Sequence, residues 1–294
     1  MAQKLHDLNS VEYEHPFDRA ALEKMKKIPM LTEAVNFVMN WTYIKWQIVG
    51  MCGSNLHITK KSCSDLYKIA DNAIGCIDIK RFPNIYMEQN YDINACTSGY
   101  KEDTYVVLTT GAVDKLTDEE LTFVIGHEAG HIKSNHVIYH MMVAYFSELL
   151  KNVPGSMLIR PALAYWNRMS EFTADRAGLL ACQDLDVSLR AIVKMSGMPE
   201  RFYGNISIEG FMEQAKEFST RYGSTADEMI KLFELLTADH PWTIVRASEL
   251  IKWVESGEYQ KILDNHRSKK CKECGRSVAF DTDLCPFCGS NKFE

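Results

Sequence analysis

The stretch Thr117-Asp-Glu-Glu-Leu-Thr-Phe-Val-Ile-Gly-His127-Glu128-Ala-Gly-His131-Ile-Lys-Ser-Asn-His136 decides how this chain is read. It contains H-E-x-x-H. Positions i and i+4 of an α-helix share a face one turn apart, so His127 and His131 can each offer an imidazole nitrogen to one metal ion. Glu128 lies beside that face and can take a proton from water activated there. Thr117 followed by Glu120 forms a capping-box pattern that predicts the helix start. Leu121, Val124, Ile125 and Ile132 recur near the helical period and predict burial of one flank. A chance H-E-x-x-H on an ordinary helix is the alternative, and the flanking chain has to decide.

Downstream, Pro161 suits the first turn of a helix that carries Trp166, Met169, Phe172 and Leu179. The same helix holds Glu171 and Asp175, one turn apart. Two carboxylates on an otherwise apolar helix are costly to bury unpaired. One solution is that Glu171 ligates zinc while Asp175 accepts the remaining N–H of a ligating histidine; a surface pair with Arg176 is the other. The small residues Ala174, Ala177 and Gly178 predict close packing on a neighbouring helix. The set His127, His131 and Glu171 would leave a fourth position open, as in a catalytic zinc site. Asp239-His240-Pro241 then precedes another helical run. His240 is placed to donate to an oxyanion near the metal or to stand as a solvent-facing cap, and Arg246 to pair with buried carboxylates or face solvent. His136 and His140 are again four apart. A second metal there is disfavoured, because the stripe reads as surface-facing and lacks a nearby acid in sequence. The metal-site helix is expected to run on through His140.

Upstream, Asn55–Thr59, Pro83–Gln89, Asn94–Gly99 and Thr104–Thr110 read as short strands of a small sheet. A helix is expected from Pro16 to Lys27, another over residues 31–49 ended by Gly50, and a third over 62–75. His6 and His15 read as surface residues and His57 as structural. Thr225 and Glu228 form a further capping box.

The tail is a separate unit. Cys271-x-x-Cys274 and Cys285-x-x-Cys288 are each followed by a glycine (Gly275, Gly289). Four thiolates in two knuckles predict a structural zinc ribbon. So small a unit has almost no core without metal.

Composition bounds the rest. The 294 residues are 46% hydrophobic and 24% charged, an ordinary globular balance. A net charge of −6 argues against a dedicated nucleic-acid binder. The five cysteines outside the tail are scattered and odd in number, which points to a reducing cytoplasm rather than a disulfide framework. The N-terminus has no apolar leader pattern. Residues 31–51 are apolar-rich but interrupted by Glu33, Asn36, Asn40, Lys45 and Gln47, and residues 137–150 are too short, so neither reads as a membrane-spanning helix. A peripheral membrane contact by residues 137–165 is the weaker alternative. The expected organisation is an N-terminal helical arm (1–50), a main domain (51–265), and a linker with the ribbon (266–294).

In combination, Asn94–Gly99, Val106–Gly111, Gly126-His-Glu-Ala-Gly-His131, Glu171–Asp175 and His240 to Arg246 resemble the HtpX-like zinc metallopeptidases, the forty-eighth metallopeptidase family. The stretches come in family order. The resemblance implies an α+β, mainly α-helical gluzincin domain with a small sheet whose edge strand holds extended peptide. It implies a catalytic zinc on His127, His131 and Glu171, beside the structural zinc of the ribbon, with Glu128 as general base. It implies Asp175 behind a ligand, His240 as a transition-state contact and Arg246 as an organiser. Substrate would lie beside Asn94, Ala95, Cys96 and Thr97. Many members carry transmembrane helices, and this chain departs from that pattern. The expected activity is cytoplasmic zinc-dependent endopeptidase action on protein or peptide substrates. The rival is a non-catalytic or latent zinc-dependent peptide-binding protein with the ribbon as interaction module.

Overall fold

A computed structural model describes residues 2–27, 42–100, 103–144, 160–221, 242–280 and 282–293. The fold is α+β and mainly helical. The N-terminal segment forms α1 (Ser10–Tyr13) and α2 (Pro16–Lys26), the latter with proline in its first turn, as expected. Next come α3 (Thr42–Ser54), β1 (Leu56–Ile58), α4 (Ser64–Cys76) and β2 (Asn84–Glu88). They are followed by β3 (Ala95–Tyr100), β4 (Asp103–Thr109) and the short α5 (Thr110–Lys115). The strands make one sheet in the order β1-β2-β4-β3. β3 is an edge strand, antiparallel to β4 with Ala95 opposite Leu108 and Thr97 opposite Val106. β2 and β4 run parallel.

Beneath the sheet lies α6 (Asp118–Lys133), capped by the reciprocal Thr117–Glu120 box. The chain continues with α7 (Val137–Ala144), α8 (Arg160–Cys182), α9 (Leu185–Met195), a 3₁₀ turn over Glu200–Asn205 and α10 (Ile208–Arg221). It closes with α11 (Thr243–Glu255), α12 (Glu258–Arg267) and a hairpin of β5 (Ser268–Lys270) and β6 (Ser277–Ala279). Among the described residues, no helix is long and apolar enough to cross a membrane.

The predicted close helix contact is between α6 and α8. A Cβ at Gly126 would fall 2.3 Å from the Ala181 Cβ, and one at Gly130 would fall 2.5 Å from the Ala177 Cβ. The two helices therefore touch backbone to backbone, which brings ligand-type side chains on both within reach of one point. The main core joins sheet, α4, α6, α8 and α11. A second core packs Ala21 and Met25 of α2 with Ile44, Ile48, Met141, Met142, Trp166 and Phe172.

Four expectations change. The H-E-x-x-H helix does not run through His140. It ends in a Schellman motif: Asn135 takes a left-handed φ of 56°, and the N–H groups of His136 and Asn135 donate to the carbonyls of His131 and Ile132. α3 runs through Gly50 and Gly53, beside which a Cβ would meet nothing, so glycine there marks no stop. His15 is buried, not a surface residue, and its ring bonds Glu249. His136 is buried as well, so the stripe it begins is not surface-facing. Residues 31–41, the Thr225 capping box and the His240-Pro241 pair lie outside the described residues.

Candidate active site

His127 and His131 project from α6 and meet Glu171 from α8. The His127 and His131 Nε2 atoms are 3.3 Å apart. Glu171 Oε2 lies 3.5 Å from His127 Nε2, and Oε1 lies 3.4 Å from His131 Nε2. Tetrahedral bonds of about 2.0–2.1 Å place neighbouring nitrogen and oxygen ligands about 3.3–3.4 Å apart. The three donors therefore already stand close to the spacing that one metal ion needs. Glu128, Glu171 and Asp175 are all buried, and Arg246 is buried with them.

The ring orientations are held from behind. His127 Nδ1 donates to Asp175 Oδ1 at 3.0 Å, which turns Nε2 towards Glu171. Arg246 donates to both Asp175 oxygens, at 2.9 Å from Nε and 2.6 Å from Nη2. Burial pushes the Asp175 carboxyl up, but Arg246 and His127 outweigh it and hold it below its usual range. For His127, burial opposes protonation. The hydrogen bonds and charges of Asp175 and Glu171 prevail and raise it to about 10, so the site seeks positive charge at that nitrogen. Burial holds His131 below its usual value and His140 well below. Arg176 turns away from Glu171 and Asp175, donating to the carbonyls of Tyr13 and Glu14. The surface-pair alternative therefore does not describe α8.

Glu128 faces a small cavity of about 140 Å³. Asn94, Ala95, His127, Glu171 and Arg246 line it too, with Phe123, Val124 and Met195 as apolar walls that no local motif had marked. The Thr97 hydroxyl donates to Glu128 Oε2 at 2.6 Å, which ties the edge strand to the H-E-x-x-H helix. Cys96, on the alternate face of β3, does not line the cavity. His240 lies outside the described residues; the helix after it starts at Thr243 with Trp242 as N-cap.

Two further residues were not legible as site residues. His131 Nδ1 lies 3.1 Å from His136 Nδ1, and His136 Nε2 lies 3.2 Å from Asp18 Oδ2. The acid that His136 lacks nearby in sequence thus comes from α2. Burial pushes the Asp18 carboxyl up, but the His136 hydrogen bond and charge, with Thr173 and Trp166, bring it below its usual range. His131, His136 and His140 also gather ligand atoms within 4.8 Å. The His131–His136 bond and the His140–Ser170 bond of 2.9 Å occupy ring nitrogens that a second metal would need.

At the tail, Cys271, Cys274, Cys285 and Cys288 bring their sulfurs within 4.8 Å of one another. Two of the pairs, Cys271–Cys288 and Cys274–Cys285, are 3.5 and 3.6 Å apart. Gly275 and Gly289 have φ of 69° and 72°, a left-handed turn after each knuckle that suits glycine.

Residues 64–254, well over half of the chain, match the model of peptidase family M48. Over 271 residues the chain is 28% identical to the plastoglobule-localized metallopeptidase 48, chloroplastic, of Arabidopsis thaliana, covering 90% of this chain and 78% of that protein. It is 28% identical over 126 residues to a Protease HtpX homolog of Bacteroides fragilis, covering 41% of this chain and 39% of that protein. A Protease HtpX homolog of Helicobacter acinonychis is 25% identical over 174 residues, covering 49% and 56%. The chain thus spans only about half or less of those HtpX relatives. No solved structure matches it significantly. Family match, relatives and paired histidines on the buried helix together lead to one statement: the chain belongs to peptidase family M48 and is a metallopeptidase.

Proposed function

We propose that the chain is a zinc-dependent endopeptidase whose metal is held by His127, His131 and Glu171, with Glu128 as general base. The observation that carries this reading is the spacing between the ligand atoms of these three residues, 3.3 to 3.5 Å, with Glu128 on the same cavity. Zinc bound there supplies Lewis acidity, which acidifies water and polarises a carbonyl. The chain's own side chains do the rest. Glu128, anchored by Thr97, takes a proton from the attacking water and returns it to the leaving amine. Asp175, clamped by Arg246, keeps the His127 lone pair pointing into the site. Extended substrate adds along β3 beside Asn94, Ala95, Cys96 and Thr97, using main-chain hydrogen bonds of the edge strand. His240 completes the set as a donor to the oxyanion.

The four tail cysteines are proposed to hold a second, structural zinc in a ribbon spanning 266–294, beside a main domain of 51–265 and an arm of 1–50. Retention of Glu128 favours turnover over mere peptide binding, because holding metal does not require it.

The test is Glu128→Gln. It should keep two zinc equivalents per chain and the wild-type melting curve, while peptide hydrolysis falls by about 10²–10⁴-fold. Cys271→Ser with Cys285→Ser should remove one equivalent only. Equal cleavage by wild type and Glu128→Gln would refute the assigned base. A wild type that binds zinc and peptides but cleaves nothing would establish the binding-protein alternative.

A further inference from the structure

Asp18 stands outside the family-matched residues 64–254, yet it reaches the turn that ends the metal-site helix. Its side chain is fully buried, accepts two hydrogen bonds and pairs with a histidine. Trp166 Nε1 donates to Oδ1 at 2.9 Å, Thr173 Oγ1 donates to Oδ2 at 2.6 Å, and His136 Nε2 faces Oδ2 at 3.2 Å. Thr173 sits on α8 between Glu171 and Asp175, and its hydroxyl accepts the backbone N–H of His15 at 3.0 Å. The start of α2 is therefore bolted to the segment that carries the carboxylates of the site.

The direction of each hydrogen bond follows from chemistry. Metal held by His131 through Nε2 requires the ring proton on Nδ1, and across 3.1 Å that N–H donates to His136 Nδ1. His136 then carries its proton on Nε2, which faces Asp18 Oδ2 at 3.2 Å, and an ionised carboxylate can only accept it. His131 Nε2 is the atom 3.3 Å from His127 Nε2 and 3.4 Å from Glu171. The Schellman turn at Asn135 is what folds His136 back under His131 so that the two Nδ1 atoms meet.

We propose that Asp18 is a positioning residue for the metal centre: through His136 it selects the His131 tautomer that presents Nε2 to the metal, so that the N-terminal helix completes a site its own sequence does not contain. This rests on the assignment of His127, His131 and Glu171 as the metal-holding set. Asn at position 18 keeps the bulk, removes the charge and cannot satisfy all three neighbours at once. With its amide nitrogen at the Oδ2 position it faces Thr173 Oγ1–H and His136 Nε2–H, and the histidine pair must reverse. With the nitrogen at the Oδ1 position it opposes the Trp166 N–H, and His136 faces a neutral oxygen in place of a carboxylate.

The experiment uses the full chain as wild type, Asp18→Asn, His136→Ala and Trp166→Phe. Zinc occupancy is measured against a graded chelator buffer. Long-range ¹H–¹⁵N spectra of the metal-free chain read the ring tautomers. Thermal melting of the metal-free chain checks the fold. Loss of a partner behind a ligating histidine typically weakens metal binding by about 10–100-fold. That loss is expected for the non-ribbon zinc of Asp18→Asn and His136→Ala, with Asp18→Asn also lowering the share of His131 rings that carry the proton on Nδ1. Trp166→Phe removes a bond to the same carboxylate but keeps an aromatic ring against His136, so its zinc affinity and His131 tautomer should stay at wild type. Unchanged affinity and tautomer in Asp18→Asn would overturn the proposal while leaving the metal site standing. Equal zinc loss in Trp166→Phe would also overturn it, because the effect would then be packing alone. A wild-type chain that holds only the ribbon zinc would instead bring down the ligand assignment itself.

Discussion

Glu171 shows what one residue contributes that its neighbours on the cavity cannot. It is the only anionic member of the proposed ligand set, and both its oxygens face ring nitrogens, at 3.5 and 3.4 Å. Glu171→Gln keeps the shape but replaces an anion with a neutral amide, whose NH₂ opposes one imidazole lone pair. Zinc should leave this variant at chelator concentrations that wild type withstands, and hydrolysis should fall together with zinc content. Metal analysis and rate, measured on the same samples, check this. A Glu171→Gln chain with full zinc and low activity would place Glu171 in proton transfer rather than in metal binding. The contrast with Glu128→Gln, expected to lose rate and keep metal, separates the two carboxylates by role.

At the scale of the element, the end of α6 matters as much as its motif. Asn135 adopts a left-handed φ of 56° and lets the N–H groups of His136 and Asn135 satisfy the last carbonyls of the helix. An L-residue without a short polar side chain pays roughly 1–2 kcal/mol in that conformation. Asn135→Ala should therefore cost about 1 kcal/mol of stability. Asn135→Gly, which tolerates positive φ, should be close to neutral, and chemical denaturation of the two variants measures the difference. If Ala and Gly prove equally stable, the left-handed turn is not what ends the helix. The α6–α8 crossing is the second such device. Small residues on both sides leave no room for a β-carbon at Gly126 or Gly130.

Across the whole molecule, the N-terminal segment is held by buried polar bonds as well as by the second apolar core. His15 Nε2 lies 3.2 Å from Glu249 Oε2, joining the start of α2 to α11. The His15 hydrogen bond, with help from Lys252 and against burial, depresses the Glu249 carboxyl to about 2 from an ordinary 4.5. A depressed folded-state value means that the folded chain binds fewer protons than the unfolded chain between those two values. The stabilisation is therefore fully present above about pH 4.5 and is lost as pH falls towards about 2. Wild type should be more stable than Glu249→Gln at pH 6, and the gap should close between about pH 4.5 and pH 2 in denaturant titrations. A gap independent of pH would show that the carboxylate charge is not what His15 holds.

The sequence by itself determined the parts whose physics is local. H-E-x-x-H places two histidines on one helical face, Thr117 and Glu120 close a cap, and Ala174, Ala177 and Gly178 announce a close helix contact, all within a turn or two of chain. The short β-rich runs around Ile85 and Val106 announced the sheet in the same way. The tetrad of tail cysteines was equally legible, since its spacing is a local property. Only the tertiary structure decided the partners. His136 read as exposed because its acid, Asp18, lies far upstream, and His15 read as exposed because Glu249 lies far downstream. Nothing in a helical period says which charge will be delivered by another helix, and burying a histidine is favourable only once that partner arrives. The apolar wall of the cavity, Phe123, Val124 and Met195, belongs to the same class. Each looks like ordinary core until the fold leaves a space beside Glu128.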